Sequence, residues 1–227
     1  MDLSPVRLSL ETSVVSTAGV ALLGTLAAGW RIRRRGVAYE LLDGLFLLPL
    51  VLPPTVVGFI LLLVLGRASW LGEMLYQMGL HLVFSWPATV IAAAVTTFPL
   101  MYMTARAALE QVDAPLVEAA RTLGAGEMRI FREVLLPLAW PGLAAGMVLT
   151  FARALGDFGA TLILAGNIPG KTQTLPLAIF FAVEAGDTGE AVRWSLVTIG
   201  ISLAALGALN LWTRHRRGLA MRVVEQE

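Results

Sequence analysis

Arg153 and Asp157 stand four residues apart in an otherwise apolar run, Phe-Ala-Arg-Ala-Leu-Gly-Asp-Phe-Gly-Ala-Thr161. Side chains at that spacing share one face of a helix. Charges this deep in an apolar segment should face a bundle interior and pair, which leaves two readings. The pair either pins helix packing, or sets a cation beside the route or gate of an anion. A second stretch, Ala165-Gly-Asn-Ile-Pro-Gly-Lys-Thr172, matches the phosphate-cradling pattern G-x-x-x-x-G-K-[ST] in every fixed place but the first, where alanine stands. It lies between two long apolar blocks and carries a Pro-Gly turn, so it reads as a loop. If ATP drives this protein, another subunit hydrolyses it. There is no cysteine, and the only histidines, His81 and His215, lie far apart and outside the apolar blocks. No catalytic residue, metal site or cofactor is therefore assigned, and the chain is read as no enzyme.

The elements that must position these charges are membrane spans. Of the 227 residues 57% are hydrophobic and 15% charged, with a mean hydropathy of +0.75. Soluble domains carry about 25% charged residues. The apolar residues fall in blocks of about 20, the length that crosses a bilayer. Five such blocks run roughly 13–30, 42–65, 87–105, 140–166 and 194–212. In hydrocarbon each backbone group must bond within its own segment, so each block is expected to be a helix. The fold class is thus all-α and transmembrane, one domain over residues 1–227. Two further stretches, 66–85 and 172–186, are amphiphilic and leave a sixth span open. Span two contains Pro49, Pro53 and Pro54. These either kink the helix to fit the bundle or break it beside a water-filled path. Gly142 and Gly146 open span four at a small-xxx-small spacing, which is too common to carry weight by itself.

Orientation follows from arginine. Arg31, Arg33, Arg34 and Arg35 follow span one; Arg106, Arg121, Arg129 and Arg132 lie between spans three and four; Arg214, Arg216, Arg217 and Arg222 fill the tail. With five spans these fall on one side, which the positive-inside rule makes cytoplasmic. The N-terminus is then extracytoplasmic, the C-terminus cytoplasmic, and the protein multi-pass in the inner membrane. All six tryptophans lie at or just outside a span end, where an indole finds the headgroup zone. The positive cluster follows span one, the reverse of a cleaved signal's order.

Between spans three and four, over 107–139, the chain reads Asp113-Ala-Pro-Leu-Val-Glu-Ala-Ala-Arg-Thr-Leu-Gly124, and then continues to Leu136-Pro137. Asp113 is placed to cap a helix whose first turn tolerates Pro115. Leu116, Ala119, Ala120 and Leu123 form an apolar stripe, and Gly124 can take the left-handed conformation that ends the helix. A second helix is expected to stop before Pro137. This loop resembles that of ABC importer permeases, E-A-A-x3-G-x9-I-x-L-P. Here it stands as Glu118-Ala119-Ala120, Gly124 and Val134-x-Leu136-Pro137, with valine for isoleucine the one departure. The flanks are most similar to molybdate permeases: Leu-Pro-Leu-Val-Leu-Pro-Pro-Thr-Val-Val-Gly58, Phe98-Pro-Leu-Met, Ala152-Arg-Ala-Leu-Gly-Asp-Phe-Gly-Ala-Thr161 and Gly166-Asn-Ile-Pro-Gly-Lys-Thr-Gln-Thr-Leu-Pro176. The family usually has Glu where Asp157 stands.

The resemblance implies an importer for molybdate or tungstate, with sulfate as the alternative. It further implies two copies of this chain, two ATPase subunits inside and an oxyanion-binding protein outside. Glu118, Ala119, Ala120, Arg121, Gly124, Leu136 and Pro137 would couple the chain to the ATPase. Pro53, Pro54, Thr55, Phe98, Pro99, Arg153, Asp157 and Thr161 are the candidates for the path. A secondary transporter would have no use for the coupling loop, and nothing points to nucleic acid.

Overall fold

The computed structural model describes residues 2–32, 34 and 36–224, with side chains as far as residue 208. Arg33, Arg35 and the side chains of Trp212, Arg214, Arg216, Arg217 and Arg222 lie outside the described residues. Every regular element among the described residues is helical.

Helix α1, Ser4–Arg31, is polar where it is buried. Ser9, Thr12, Ser13, Ser16 and Thr17 face the bundle, while Leu22, Leu23 and Leu26 face outward. Lipid tails are as apolar as leucine, so nothing drives leucine inside, and close packing favours small and hydroxyl side chains there. The Thr12 and Thr89 hydroxyls meet at 2.8 Å, and Gly24 lies against Met101 at the same offset of 77 residues. Helix α1 and helix α5 (Trp86–Glu110) are therefore parallel neighbours.

Where one helix was expected over 42–65, two are found. Helices α2 (Val37–Val51) and α3 (Pro54–Leu65) meet at 114°. Leu52 is extended, with ψ 143, as the residue before proline must be. Pro53 and Pro54 bring no N–H, so the ladder cannot bridge them. The prolines break this span, whereas Pro49 is carried inside α2. Phe46 of α2 packs on Phe98 and Tyr102, and Leu61, Leu62 and Leu65 of α3 pack around Ala88 and Ala92. The bent pair thus follows α5 from its C-terminal to its N-terminal half.

After α4 (Trp70–Gln77) and α5 come α6 (Ala114–Thr122) and α7 (Glu127–Ile130). The chain was expected to stop before Pro137 but does not. A π-turn over Phe131–Leu135 leads without a gap into α8, Leu136–Leu155. A proline clashes with the carbonyl four residues back, and widening the turn ahead of it relieves that clash. Span four breaks instead at Gly156, Asp157 and Phe158, and resumes as α9, Gly159–Ala165. Helices α10 (Leu175–Glu184) and α11 (Thr188–Val224) complete the chain.

Among the described residues four helices (α1, α5, the run Glu127–Leu155 and α11) are long and apolar enough to cross a membrane, and the bent pair is together long and apolar enough for a fifth. The stretches left open for a sixth span hold α4 and α10, of 8 and 10 residues. At about 1.5 Å per residue neither spans about 30 Å of hydrocarbon. The Gly142 and Gly146 spacing proves to be a seam: a Cβ on Gly142 would stand 2.6 Å from that of Ala108, and one on Gly146 would strike Thr104. Trp194, near the start of α11, is only 2% exposed, packs on Leu175 and Ala178 and donates to Glu190.

Candidate functional site

Helix α6 begins at Ala114 with Asp113 in the cap position, but the Asp113 carboxylate accepts no cap hydrogen bond. Its C-terminus is closed by backbone alone. The Ala125 N–H reaches the Ala120 carbonyl at 3.0 Å and the Gly124 N–H reaches that of Arg121 at 2.9 Å, with Gly124 at φ +83. This paired closure is the Schellman motif, and its left-handed residue favours glycine. Arg121 donates to Glu127 at 2.8 Å, tying α6 to α7; that bond and the carboxylate charge hold the guanidinium above its ordinary value.

The apolar stripe expected on α6 divides. Val117 and Ala120 lean on the bundle, whereas Leu116, Ala119 and Leu123 are exposed, Leu123 at 89%. Glu118 is exposed beside them. Leu136 packs against the core at the root of α8, and Pro137 is exposed there. The structure thus presents a short, rigidly terminated helix whose free face carries Leu116, Glu118, Ala119 and Leu123.

The second group lies where two broken spans meet. A Cβ on Gly159 would stand 3.2 Å from Pro54 and 3.1 Å from the Thr55 methyl, and one on Gly58 would stand 2.8 Å from the Ala160 backbone. The breaks at Pro53 and at Asp157 are therefore side by side. Asp157 is 3% exposed and accepts from the Thr161 hydroxyl at 2.7 Å, the Thr161 N–H at 3.2 Å and the Thr96 hydroxyl at 3.1 Å. A carboxylate satisfied by a following N–H competes with continued helix, which accounts for the break. Arg153 reaches Asp157 only at 3.9 Å, and its side chain is 41% exposed. The pair is uneven: the acid is bound inside by threonines and the guanidinium faces outward. Pro53, Pro54 and Thr55 are exposed at the same junction, while Thr161 is buried. Phe98 and Pro99 do not join them. Phe98 stacks with Phe46 and Tyr102, and Pro99 is buried within α5.

Sequence reasoning missed a third group. Asp43 of α2 accepts from Arg31 at 3.0 and 2.8 Å, from Arg106 at 2.9 Å and from the Tyr102 hydroxyl. One carboxylate thus joins α1, α2 and α5 at the arginine-rich end. The available signal was a lone aspartate opening an apolar run after an arginine cluster. The Ala165–Thr172 loop also differs from a nucleotide cradle. It follows helix α9, and the Thr172 hydroxyl is spent inside the loop, donating to the Gly166 carbonyl at 2.9 Å and accepting from the Ile168 N–H at 3.0 Å.

A helical bundle with two broken spans side by side, and a rigid helix presented between two of its long apolar helices, marks the class as a membrane-embedded transport subunit. The chain belongs to the family described as binding-protein-dependent transport system inner membrane component, whose profile matches residues 21–214. It is 44% identical over 219 residues to the molybdenum transport system permease protein ModB of Escherichia coli K12, covering 94% of this chain and 95% of that one. It is also 44% identical over 206 residues to the putative molybdenum transport system permease protein YvgM of Bacillus subtilis, covering 89% and 90%. The sulfate transport system permease protein CysW of Synechococcus elongatus is 36% identical over 218 residues, covering 96% and 76%. Among solved structures the fold is shared with a chain of the MetNI methionine ABC transporter, at TM-score 0.70 and 18% identity over 93% of this chain and 94% of that one. It is shared too with a chain of a bacterial alginate ABC transporter solved with a pentasaccharide-bound periplasmic protein, at TM-score 0.75 and 16% identity over 94% and 78%.

Proposed function

We propose that this chain is the membrane permease of an ATP-driven importer for molybdate, and that two copies form the path around a two-fold axis. The observation that carries the substrate is the 44% identity, over nearly the whole of both chains, to a permease named for molybdenum transport. Helix α6 docks on an ATPase subunit through Leu116, Glu118, Ala119 and Leu123. Its Gly124 closure and the Arg121–Glu127 pair make it stiff enough to transmit movement into α8. Closing of the ATPases on ATP draws the two α6 helices together and opens the path outward; hydrolysis returns it. An oxyanion-binding protein delivers the ion to the opposite face.

The same geometry supports the orientation proposed for the chain. The Arg31 and Arg106 ends of α1 and α5 converge on Asp43, and α6 lies in the chain between the Arg106 end of α5 and the α7–π-turn run that carries Arg129 and Arg132 into α8. That end is cytoplasmic by its arginines, and an odd number of crossings puts the N-terminus outside. Arg153, exposed where the two broken spans meet, offers the passing anion its cationic contact, and Asp157 keeps the junction in shape from behind. The chain supplies a two-state conduit and performs no chemistry of its own.

The test is uptake by the complex reconstituted in vesicles with its ATPase and binding protein. Molybdate uptake should be abolished by competing tungstate and little affected by sulfate. Equal competition by sulfate would give the substrate to the sulfate reading, which the 36% identical sulfate permease represents.

A further inference from the structure

We propose that the groove between α1 and the α7–π-turn segment binds one anionic phospholipid, its phosphate on Arg34 and an acyl chain along Leu26, Gly29 and Phe131. The groove measures about 550 Å³. It exists because Gly29 has no side chain and the ring of Phe131, set by the π-turn, comes down on that glycine. Its outer wall continues into Leu22, Leu23 and Leu26, the outward flank of α1.

Arg34 stands at the polar mouth of this groove and differs from its neighbours. Arg31 is held by Asp43, Arg106 by Asp43 and Glu110, Arg121 by Glu127, and Arg129 by Glu133. Arg34 instead lies over the Trp30 ring, 4.3 Å from its centroid, with the Tyr39 ring at 5.7 Å and the Tyr39 hydroxyl at 3.3 Å. Its guanidinium is oriented by aromatic faces, and among the described residues it is in no salt bridge. An arginine so held presents its remaining N–H groups to a phosphate. Glu127, the one acid among the described residues of the groove, is itself bound by Arg121.

Position selects the occupant. A water-soluble partner meeting Arg34 would leave Leu26, one turn before Trp30, uncovered. A phospholipid covers both at once, and basic pockets between spans at the cytoplasmic side suit anionic headgroups. This inference rests on the proposed orientation and stands apart from the transported ion.

The test is native mass spectrometry of the purified full-length chain, offered phosphatidylglycerol or phosphatidylcholine with the same acyl chains. One phosphatidylglycerol per chain should be retained in preference. Arg34→Gln should weaken that retention about five-fold, the worth of one interfacial arginine. Arg34→Lys should preserve the preference, and Arg132→Gln, an exposed arginine outside the groove, should leave it unchanged. Equal retention of the two lipids, or equal loss in Arg34→Gln and Arg132→Gln, would overturn the proposal. Displacement of the lipid by glycerol phosphate would overturn it too, since the site would then belong to a soluble anion.

Discussion

Removing the Asp43 carboxylate should cost this protein more stability than removing any arginine that binds it. The Arg31 side chain is 9% exposed and has its ion pair with Asp43, at 3.0 and 2.8 Å, while it also donates to the Arg34 carbonyl. Asp43→Ala strands that guanidinium without a counter-charge and leaves the Tyr102 hydroxyl without its acceptor. Breaking a buried pair by deleting one partner costs about 3–5 kcal/mol. The Arg106 side chain is 35% exposed and keeps Glu110 at 2.7 Å. Solvent screens it, so Arg106→Ala should cost about 1 kcal/mol or less. For a chain of this length each kcal/mol moves the unfolding midpoint by about 2–4 °C. Asp43→Ala should therefore unfold roughly 6 °C or more below the parent in a detergent melt, against a few degrees for Arg106→Ala. Replacing Asp43 and Arg31 together removes both charges, so the double variant should be milder than the sum of the two. Equal midpoints for Asp43→Ala and Arg106→Ala, or a fully additive double variant, would refute the view that this carboxylate clasps three helices.

Gly58→Val should lower the midpoint by a comparable amount, because its Cβ would meet the Ala160 backbone at 2.8 Å and a backbone cannot swing aside; an unchanged melt would mean that the two broken spans do not touch. Thr96→Val removes one of three hydrogen bonds to a buried carboxylate and should cost about 1–3 kcal/mol, whereas Thr55→Val, exposed at the same junction, should be nearly silent. With no native cysteine, Lys171→Cys should label from outside intact cells with an impermeant reagent and Ala125→Cys should not. Labelling of both would contradict the proposed orientation.

The crossings were legible because apolar length is a property of local sequence, and the loop was legible because its residues fall in a rigid order from Glu118 to Pro137. The breaks were harder. Two prolines at Pro53 and Pro54 allow a kink or a rupture, and what decides is whether a neighbour accepts the bent shape; here Gly159 and Ala160 do. The rupture at Asp157 depends on Thr96, 61 residues away, a contact that no periodicity announces. The two chemistry-bearing residues of span four share a helix face in sequence and meet in the fold only at 3.9 Å, since the chain leaves the helix between them. The end of the second loop helix was misplaced at Pro137, because the π-turn that carries it into α8 is a tertiary accommodation and leaves no mark in composition. Asp43 went unread for a like reason: its partners come from α1 and α5.

The central claim is that α6 is the mechanical joint to an ATPase. Gly124 at φ +83 admits a β-branched residue only with strain, and Ala119 lies on the exposed face where a large side chain would stand off a docking groove. The decisive measurement is copurified ATPase together with ATP-dependent molybdate uptake in vesicles, for Gly124→Val and Ala119→Trp. Both variants should insert in the membrane yet lose uptake, through loss of the ATPase or through hydrolysis without transport. Normal uptake by both variants with the ATPase still bound would contradict the claim.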